Sequence, residues 1–415
     1  MRFLHTADWQ LGMTRHYLQP EAQARSAEAR LEAVRALGRV AAEHGCAFVV
    51  VAGDVFETNQ VGRDVVARAC EALAEVPVPV LLLPGNHDPL DAGSVLTSER
   101  FTRLAPDHVR VLDGTPVEVA GVQVLSAPWR SKRPVEDLAA RACADLDDGT
   151  GDRRAGLPHV LVAHGAVEAF GASSPDPAVI DLAALERRLD AGQLDAVCLG
   201  DRHSTTEVGR TGRVWYAGAP EPTDHDEQDP GNVLVVDLGE PGRTAGAGRD
   251  GAGRPPLVVT RVPVGRWRFR RHRVELSREE DVDDLERLLA GLPDKSRTAL
   301  KLSVVGSLSL AQKARVDTLL DHYGDLLGAL QVWERRSDLV VVPDEADLDA
   351  LALSGFARDA AEGLAVRAQA AVAADLAAGG TGGERGPVPV TADAVAAQDA
   401  LQLLHRLAAT GARSA

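Results

Sequence analysis

Two stretches of uninterrupted apolar residues, Ala47-Phe48-Val49-Val50-Val51-Ala52 and Val80-Leu81-Leu82-Leu83, constrain this chain more than anything else in it. A strand with water on one side alternates apolar and polar residues. A strand apolar on both sides must be covered on both, as in a parallel sheet. Segments of helical period surround these runs. Glu21 to His44 carries Leu31, Val34, Leu37, Val40 and Ala41 at helical spacing, and Gly45 follows as a C-cap. Arg63 to Ala74 reads as a second helix. With a short strand from Arg2 to Thr6 in front, the first 90 residues read strand, helix, strand, helix, strand. That is a parallel α/β pattern, in which groups at the carboxyl ends of strands project into a crevice.

Those strand ends carry the chemistry. Asp8 follows the first strand, Gly53-Asp54 the second and Gly85-Asn86-His87-Asp88 the third. Farther on, His159 to Ala163 ends in His164-Gly165, and Leu194 to Leu199 ends in Gly200-Asp201-Arg202-His203. Any one of these has an ordinary explanation as a helix cap or turn former. Five strands of one inferred sheet, each ending in an oxygen or nitrogen donor, point instead to a metal site. Carboxylate, amide and imidazole together suit a pair of first-row ions such as Mn²⁺, Fe²⁺ or Zn²⁺ better than Mg²⁺ alone. Two ions sharing one carboxylate can polarise a phosphoryl oxygen, lower the pKa of a water and orient in-line attack. Asp54 is the natural bridge. His87 offers a proton or a lone pair, and Asp88 is close enough in sequence to fix its tautomer.

At 415 residues the chain calls for two domains or more, and 45% hydrophobic content supports real cores. Cys46, Cys70, Cys143 and Cys198 stand singly among apolar neighbours, as buried free thiols do. A net charge of −16 argues against a general nucleic-acid coat, though not against a nuclease whose metals supply local positive charge. No signal peptide or membrane span is read, so a cytoplasmic protein with no membrane partner is expected. Gly239 to Pro256 reads as a break. A smaller helix-and-strand domain follows, opening on Arg266-Trp267-Arg268-Phe269-Arg270-Arg271-His272-Arg273. As one strand, this would put Arg266, Arg268 and Arg270 on a single face, either for phosphate contact or as a solvated edge. Gly379 to Pro389 reads as a linker, and Thr391 to Thr410 as a last amphipathic helix.

The order Asp8, Gly53-Asp54, Gly85-Asn86-His87-Asp88, His164, Gly200-Asp201-Arg202-His203 resembles the calcineurin-like metallophosphoesterases. His5-Thr6-Ala7-Asp8-Trp9, Gly53-Asp54-Val55-Phe56 and Tyr216-Ala217-Gly218-Ala219-Pro220 resemble, more narrowly, the SbcD-type nuclease subunits. The resemblance implies an α/β fold: a two-layered β-sandwich flanked by helices, with a small α+β capping domain and a C-terminal helix. It implies a nuclease domain over residues 1–240, a linker over 241–256, a capping domain over 257–345 and a helical segment over 346–415. It further implies two Mn²⁺-like ions, with Fe²⁺, Zn²⁺ or Mg²⁺ as alternatives, and phosphodiester hydrolysis on DNA. Asp8, Asp54 and His203 would hold one ion and Asp54, Asn86 and His164 the other. His87 would protonate the leaving oxygen or stabilise the transition state, with Asp88 orienting it.

Partners implied are DNA and an SbcC-type coiled-coil ATPase docked by the C-terminal helix, with room for a homodimer. Two positions depart from the family's pattern. Gln10 stands where the family has a His, and Asp201 where it has the first His of Gly-His-x-His. Gln10 can ligate weakly through its amide oxygen, and Asp201 can ligate well as a hard oxygen donor. Two other readings stay open: a small-molecule phosphodiesterase, and a non-catalytic scaffold that binds DNA or the ATPase.

Overall fold

The computed structural model describes residues 1–147, 157–168, 178–239, 257–342 and 355–378, with isolated positions from 347 to 404. The chain divides into two compact units, Met1–Arg268 and Phe269–Ala415. The charged, Gly-rich stretch from Asp147 to Gly156 reads as a surface connection; its residues 148–156, the expected linker over 241–256 and the one over 379–389 lie outside the described residues.

In the first unit the strands are β1 (Arg2–Thr6), β2 (Val49–Ala52), β3 (Val80–Leu83), β4 (Val109–Val111), β5 (Val117–Val119), β6 (Val122–Ala127), β7 (His159–His164), β8 (Ala196–Gly200), β9 (Thr206–Val208), β10 (Val214–Tyr216), β11 (Asn232–Asp237) and β12 (Val258–Pro263). The helices are α1 (Pro20–His44), α2 (Arg63–Ala74), α3 (Glu99–Leu104), α4 (Leu138–Ala142), α5 (Ala144–Asp147) and α6 (Leu182–Asp190). The strands form two six-stranded sheets, in the orders β12-β11-β1-β2-β3-β4 and β5-β6-β7-β8-β10-β9. The site-bearing strands are parallel within each sheet.

Strand alternation explains why the apolar runs are continuous. Leu4, Val49, Val51, Val80 and Leu82 face one way and pack with Leu31, Val34 and Leu37 of α1 and Leu73 of α2. Phe3, Val50, Ala52, Leu81 and Leu83 face the other way and meet Val160, Val162, Ala196 and Cys198 of the second sheet. The far face of that sheet, with Leu161, Ala163, Val197 and Leu199, packs on Ala139, Leu185 and Leu189. The result is helix, sheet, sheet, helix, the flanked sandwich that the resemblance implied. Each fully buried Val or Leu contributes about 1.5–3 kcal/mol by leaving water. All four cysteines are buried, and none forms a disulfide among the described residues.

Three expectations need correction. The five site strands do not lie in one sheet: β1, β2 and β3 belong to the first and β7 and β8 to the second. Runs apolar on both faces cannot tell a helix cover from a second sheet, because either one buries them. The resemblance assigns 257–345 to the capping domain, yet β12 pairs with β11 at the edge of the first sheet. The sequence from Val135 to Leu146 reads as one helix, and the structure divides it into α4 and α5. Asp137 sets the later start, its Oδ1 accepting from Ala139 N (2.8 Å) and Ala140 N (3.0 Å).

In the second unit, β13 (Arg268–Leu276), β14 (Thr298–Leu308), β15 (Ala329–Val332) and β16 (Asp338–Val341) form a four-stranded sheet with helices α7 (Glu279–Ala290) and α8 (Leu310–Leu326). Leu300, Leu302 and Val304 of β14 pack with Val282, Leu285 and Leu289 of α7 and Val316 and Tyr323 of α8. A further helix, Phe356–Ala378, places Ala361 and Ala365 against Leu310 and Val341, where Ala397 and Leu401 also pack. Most of the expected helix from Thr391 to Thr410 lies outside the described residues. No helix among the described residues is long and apolar enough to cross a membrane.

Candidate metal centre

The backbone is strained where the donors sit. Asp8 (φ 54°), Gln10 (φ 45°), Asp54 (φ 54°) and Asp201 (φ 94°) all occupy the left-handed region. Each such residue costs on the order of 1–3 kcal/mol and persists only where its surroundings fix it. Asp8 N donates to Gly53 O (3.0 Å) and Gln10 N to Asp54 O (2.9 Å), so the turns after β1 and β2 lock together. Gly85 is required by close approach: a Cβ there would fall 2.1 Å from Asp54 Oδ1. The aspartates cap no helix. The N-caps of α1 and α2 are Gln19 and Gly62, neither making a side-chain cap bond.

The freed carboxylates converge with an imidazole. Asp8, Asp54 and His164 bring donor atoms within 4.8 Å of one another, and all three are buried. His164 Nδ1 donates to Ala52 O (2.8 Å), which turns Nε2 toward the cluster. Nε2 then lies 2.9 Å from Asn86 Oδ1, 3.4 Å from Asp54 Oδ1 and 3.8 Å from Asp201 Oδ1. A nitrogen facing three oxygens calls for positive charge between them. Burial pushes the Asp8 carboxyl up to about 7. Burial disfavours a charged His164, yet Asp54, Asp8 and Asp201 outweigh it and raise the imidazole to about 9. The cluster thus retains protons that a divalent ion displaces on binding.

His203 is aimed from behind. Its Nδ1 lies 2.7 Å from Thr223 Oγ1 and 3.0 Å from Glu227 Oε1, and its Nε2 lies 3.2 Å from Gln10 Nε2. A carboxylate holding one ring N–H fixes the tautomer that leaves the other nitrogen free for a metal. Thr223 and Glu227 went unread in the sequence; the only local signal was acidic density between Asp224 and Glu227. Gln10 is buried, and its Oε1 meets no hydrogen-bond donor among the described residues. Such an orphan costs about 1–3 kcal/mol, which a cation would offset. The donors present therefore fit a divalent pair. Asp8, Asp54 and His164 form the cluster, Asn86 and Asp201 face His164, and Gln10 faces His203.

His87 stands at the open edge, its side chain 38% exposed and its Nε2 4.0 Å from Asp54 Oδ2. Its orienting partner is not Asp88, as expected, but the Glu57 carbonyl, to which Nδ1 donates at 2.8 Å. Asp88 is fully buried and its carboxylate is already engaged, accepting from Gly85 N (2.8 Å) and Phe56 N (3.0 Å). It ties the loop after β3 to the loop after β2. Burial raises its carboxyl to about 7. Trp129, another residue not assigned from sequence, links the same loop to His164. Its backbone N donates to Pro84 O (3.2 Å) and its Nε1 to His164 O (2.7 Å).

The arginine face also differs from expectation. Arg266 precedes β13; its backbone N donates to Glu221 Oε2 (3.0 Å) and its guanidinium lies 3.5 Å from Glu32. Only Arg268 and Arg270 lie on the strand, both exposed. The buried Trp267 pins the chain before β13 begins, so the three arginines do not share one strand face. A cavity of about 640 Å³ lined by Asp113, Leu125, Arg130, Leu138 and Arg141 contains none of the donors.

Residues 1–205 match the family described as calcineurin-like phosphoesterase. The chain is 27% identical over 267 residues to the D subunits of the nuclease SbcCD from Escherichia coli (strain K12) and Escherichia coli O157:H7. That similarity covers 55% of this chain and 62% of each relative, so it spans less than two thirds of their length. Among solved structures, TT1561 of Thermus thermophilus is 12% identical, with a TM-score of 0.37, covering 63% of this chain and 98% of that one. The family match runs through Asp8, Asp54, Asn86, His164 and His203, and residues 1–205 form a domain of the calcineurin-like phosphoesterase family.

Proposed function

We propose that this chain is a metal-dependent DNA nuclease subunit that hydrolyses phosphodiesters at DNA ends in repair, together with an SbcC-type coiled-coil ATPase. The observation that carries the hydrolytic reading is the convergence of Asp8, Asp54 and His164 within 4.8 Å, with Asn86 and His203 beside them and His87 at the open edge. The DNA and ATPase parts rest on similarity to relatives named as SbcCD nuclease subunits. In this reading the second unit serves DNA binding, the segment beyond residue 346 docks the ATPase, and the work takes place in the cytoplasm.

Asp8, Gln10, Asp54 and His203 would hold one ion and Asp54, Asn86, His164 and Asp201 the other, Mn²⁺ being the ion that the set suits. When bound, two such ions supply Lewis acidity and a water of lowered pKa. The remaining work falls to the protein. Asp54 fixes the spacing of the two donor sets. Glu227 and Thr223 keep His203 Nε2 turned inward. The Glu57 carbonyl holds His87 Nδ1, which presents Nε2 to give a proton to the leaving oxygen or to stabilise charge on the phosphoryl group.

The test offers the full chain, with Mn²⁺, both linear DNA and a chromogenic phosphodiester, using His87→Ala as control. The proposal expects DNA cleavage that the variant lacks. Cleavage of the small ester alone, even with the ATPase present, supports a small-molecule phosphodiesterase. Cleavage of neither substrate, with no bound metal, supports a non-catalytic scaffold.

A further inference from the structure

We propose that the second unit binds single-stranded DNA on the sheet face turned away from its helices, where Arg271, Lys301 and Arg336 gather around the Trp333 indole. The proposal rests on the nuclease reading above and adds to it the form of the DNA, an unpaired strand. Leu300, Leu302 and Val304 of β14 pack with α7 and α8, so strand alternation turns Lys301 to the opposite face. On β13, Val274 and Leu276 pack in the same core, which puts Arg271 and Arg273 on the face of Lys301. Trp333 reaches that face from the turn between β15 and β16, which pair with β14 up to Leu302 and from Val305 onward. The turn is fixed. Trp333 N donates to Leu302 O (2.7 Å), and Ser337 Oγ donates to Trp333 O (3.0 Å) while accepting from Val304 N (3.0 Å).

Lys301 Nζ lies 4.5 Å, Arg336 Cζ 4.9 Å and Arg271 Cζ 5.1 Å from the centroid of the indole ring. The ring attracts each cation, while the cations repel one another. Arg271 and Arg336 are exposed, and Lys301 and Trp333 are half-buried. Glu334 and Asp338, beside the same turn, form no ion pair with Lys301 or Arg336 among the described residues. Three positive charges about one ring, in a chain of net charge −16, call for an anionic ligand. The aromatic ring narrows the choice. In a duplex each base is already stacked on its neighbours, so only an unpaired base has a face to give to the indole. A single strand offers its phosphates to the cations and a base to the ring, and both attractions are independent of sequence.

Fluorescence anisotropy with labelled oligonucleotides tests this on the full chain. All chains carry His87→Ala, with MnCl₂ present, so that the DNA is held and not cut. The probes are a single strand, its blunt duplex and a strand of abasic sugar phosphates. The single strand should bind about tenfold or more tighter than the duplex. Trp333→Ala should weaken single-strand binding by about tenfold to a hundredfold, leave duplex binding within about twofold, and bring the intact strand level with the abasic one. Trp333→Phe, which keeps an aromatic face, should recover most of that loss. Arg336→Glu, at an exposed position, carries the test should Trp333→Ala not fold; it should weaken single-strand binding by about tenfold and flatten its salt dependence. Thermal melting establishes that each variant is folded. Equal binding of single strand and duplex, or unchanged affinity in folded Trp333→Ala, overturns the proposal and leaves the nuclease reading standing. No binding of DNA in either form overturns the DNA reading itself.

Discussion

In the second unit β14 runs straight into Ser309, whose Oγ accepts from Gln312 N (3.3 Å) while Gln312 Oε1 accepts from Ser309 N (3.0 Å). The polar residue after that apolar strand closes a capping box on α8, and its backbone is ordinary, with φ −69°. In the first unit β1 and β2 run into Asp8 and Asp54, also polar residues after apolar strands. These adopt left-handed backbone, and helices α1 and α2 begin later on caps of their own. The contrast separates two uses of one sequence pattern. A strand-terminal carboxylate spent on a cap stabilises local structure. One held at positive φ, buried and spent on no cap has been kept for something that the protein alone does not supply.

The predictions test that contrast, beginning with the largest effect. Asp54→Ala removes the carboxylate common to both donor sets and should abolish both divalent binding and hydrolysis, as measured by titration and phosphodiester turnover. Retained metal would break the comparison outright. His87→Ala should lower kcat by about a hundredfold to ten-thousandfold, with metal stoichiometry unchanged. A parallel loss of metal would make His87 a ligand instead. Glu227→Ala removes the carboxylate beside His203 Nδ1 and should weaken Mn²⁺ binding by about tenfold to a hundredfold in calorimetric titration, without unfolding the chain. Ser309→Ala removes a cap and should cost about 1 kcal/mol in denaturant melts of the second unit, with metal affinity unaltered.

The sequence carried the donors further than the architecture. Asp8, Asp54, Asn86, His164 and His203 were legible because each follows an apolar run, and the rim collects whatever follows such runs. The division into two sheets was not legible, since Val50 and Val51 read alike whether the cover is helix or strand. Asp88 was misread because adjacency to His87 suggests contact, while the turn after Gly85 directs its carboxylate back toward Gly85 N and Phe56 N. Glu227 and Trp129 escaped notice because their roles depend on contacts 24 and 35 residues away, to His203 and His164. The arginine run looked like one strand because alternating residue types mimic strand alternation. The bonds from Arg266 N to the Glu221 carboxylate end that resemblance before β13 starts.

The most direct test is a crystal of the full chain grown with MnCl₂, and its anomalous difference map. Two manganese peaks should appear, one beside Asp8, Asp54 and His203 and one beside Asp54, Asn86 and His164. Manganese bound elsewhere, with this cluster bare at saturating concentration, would contradict the account.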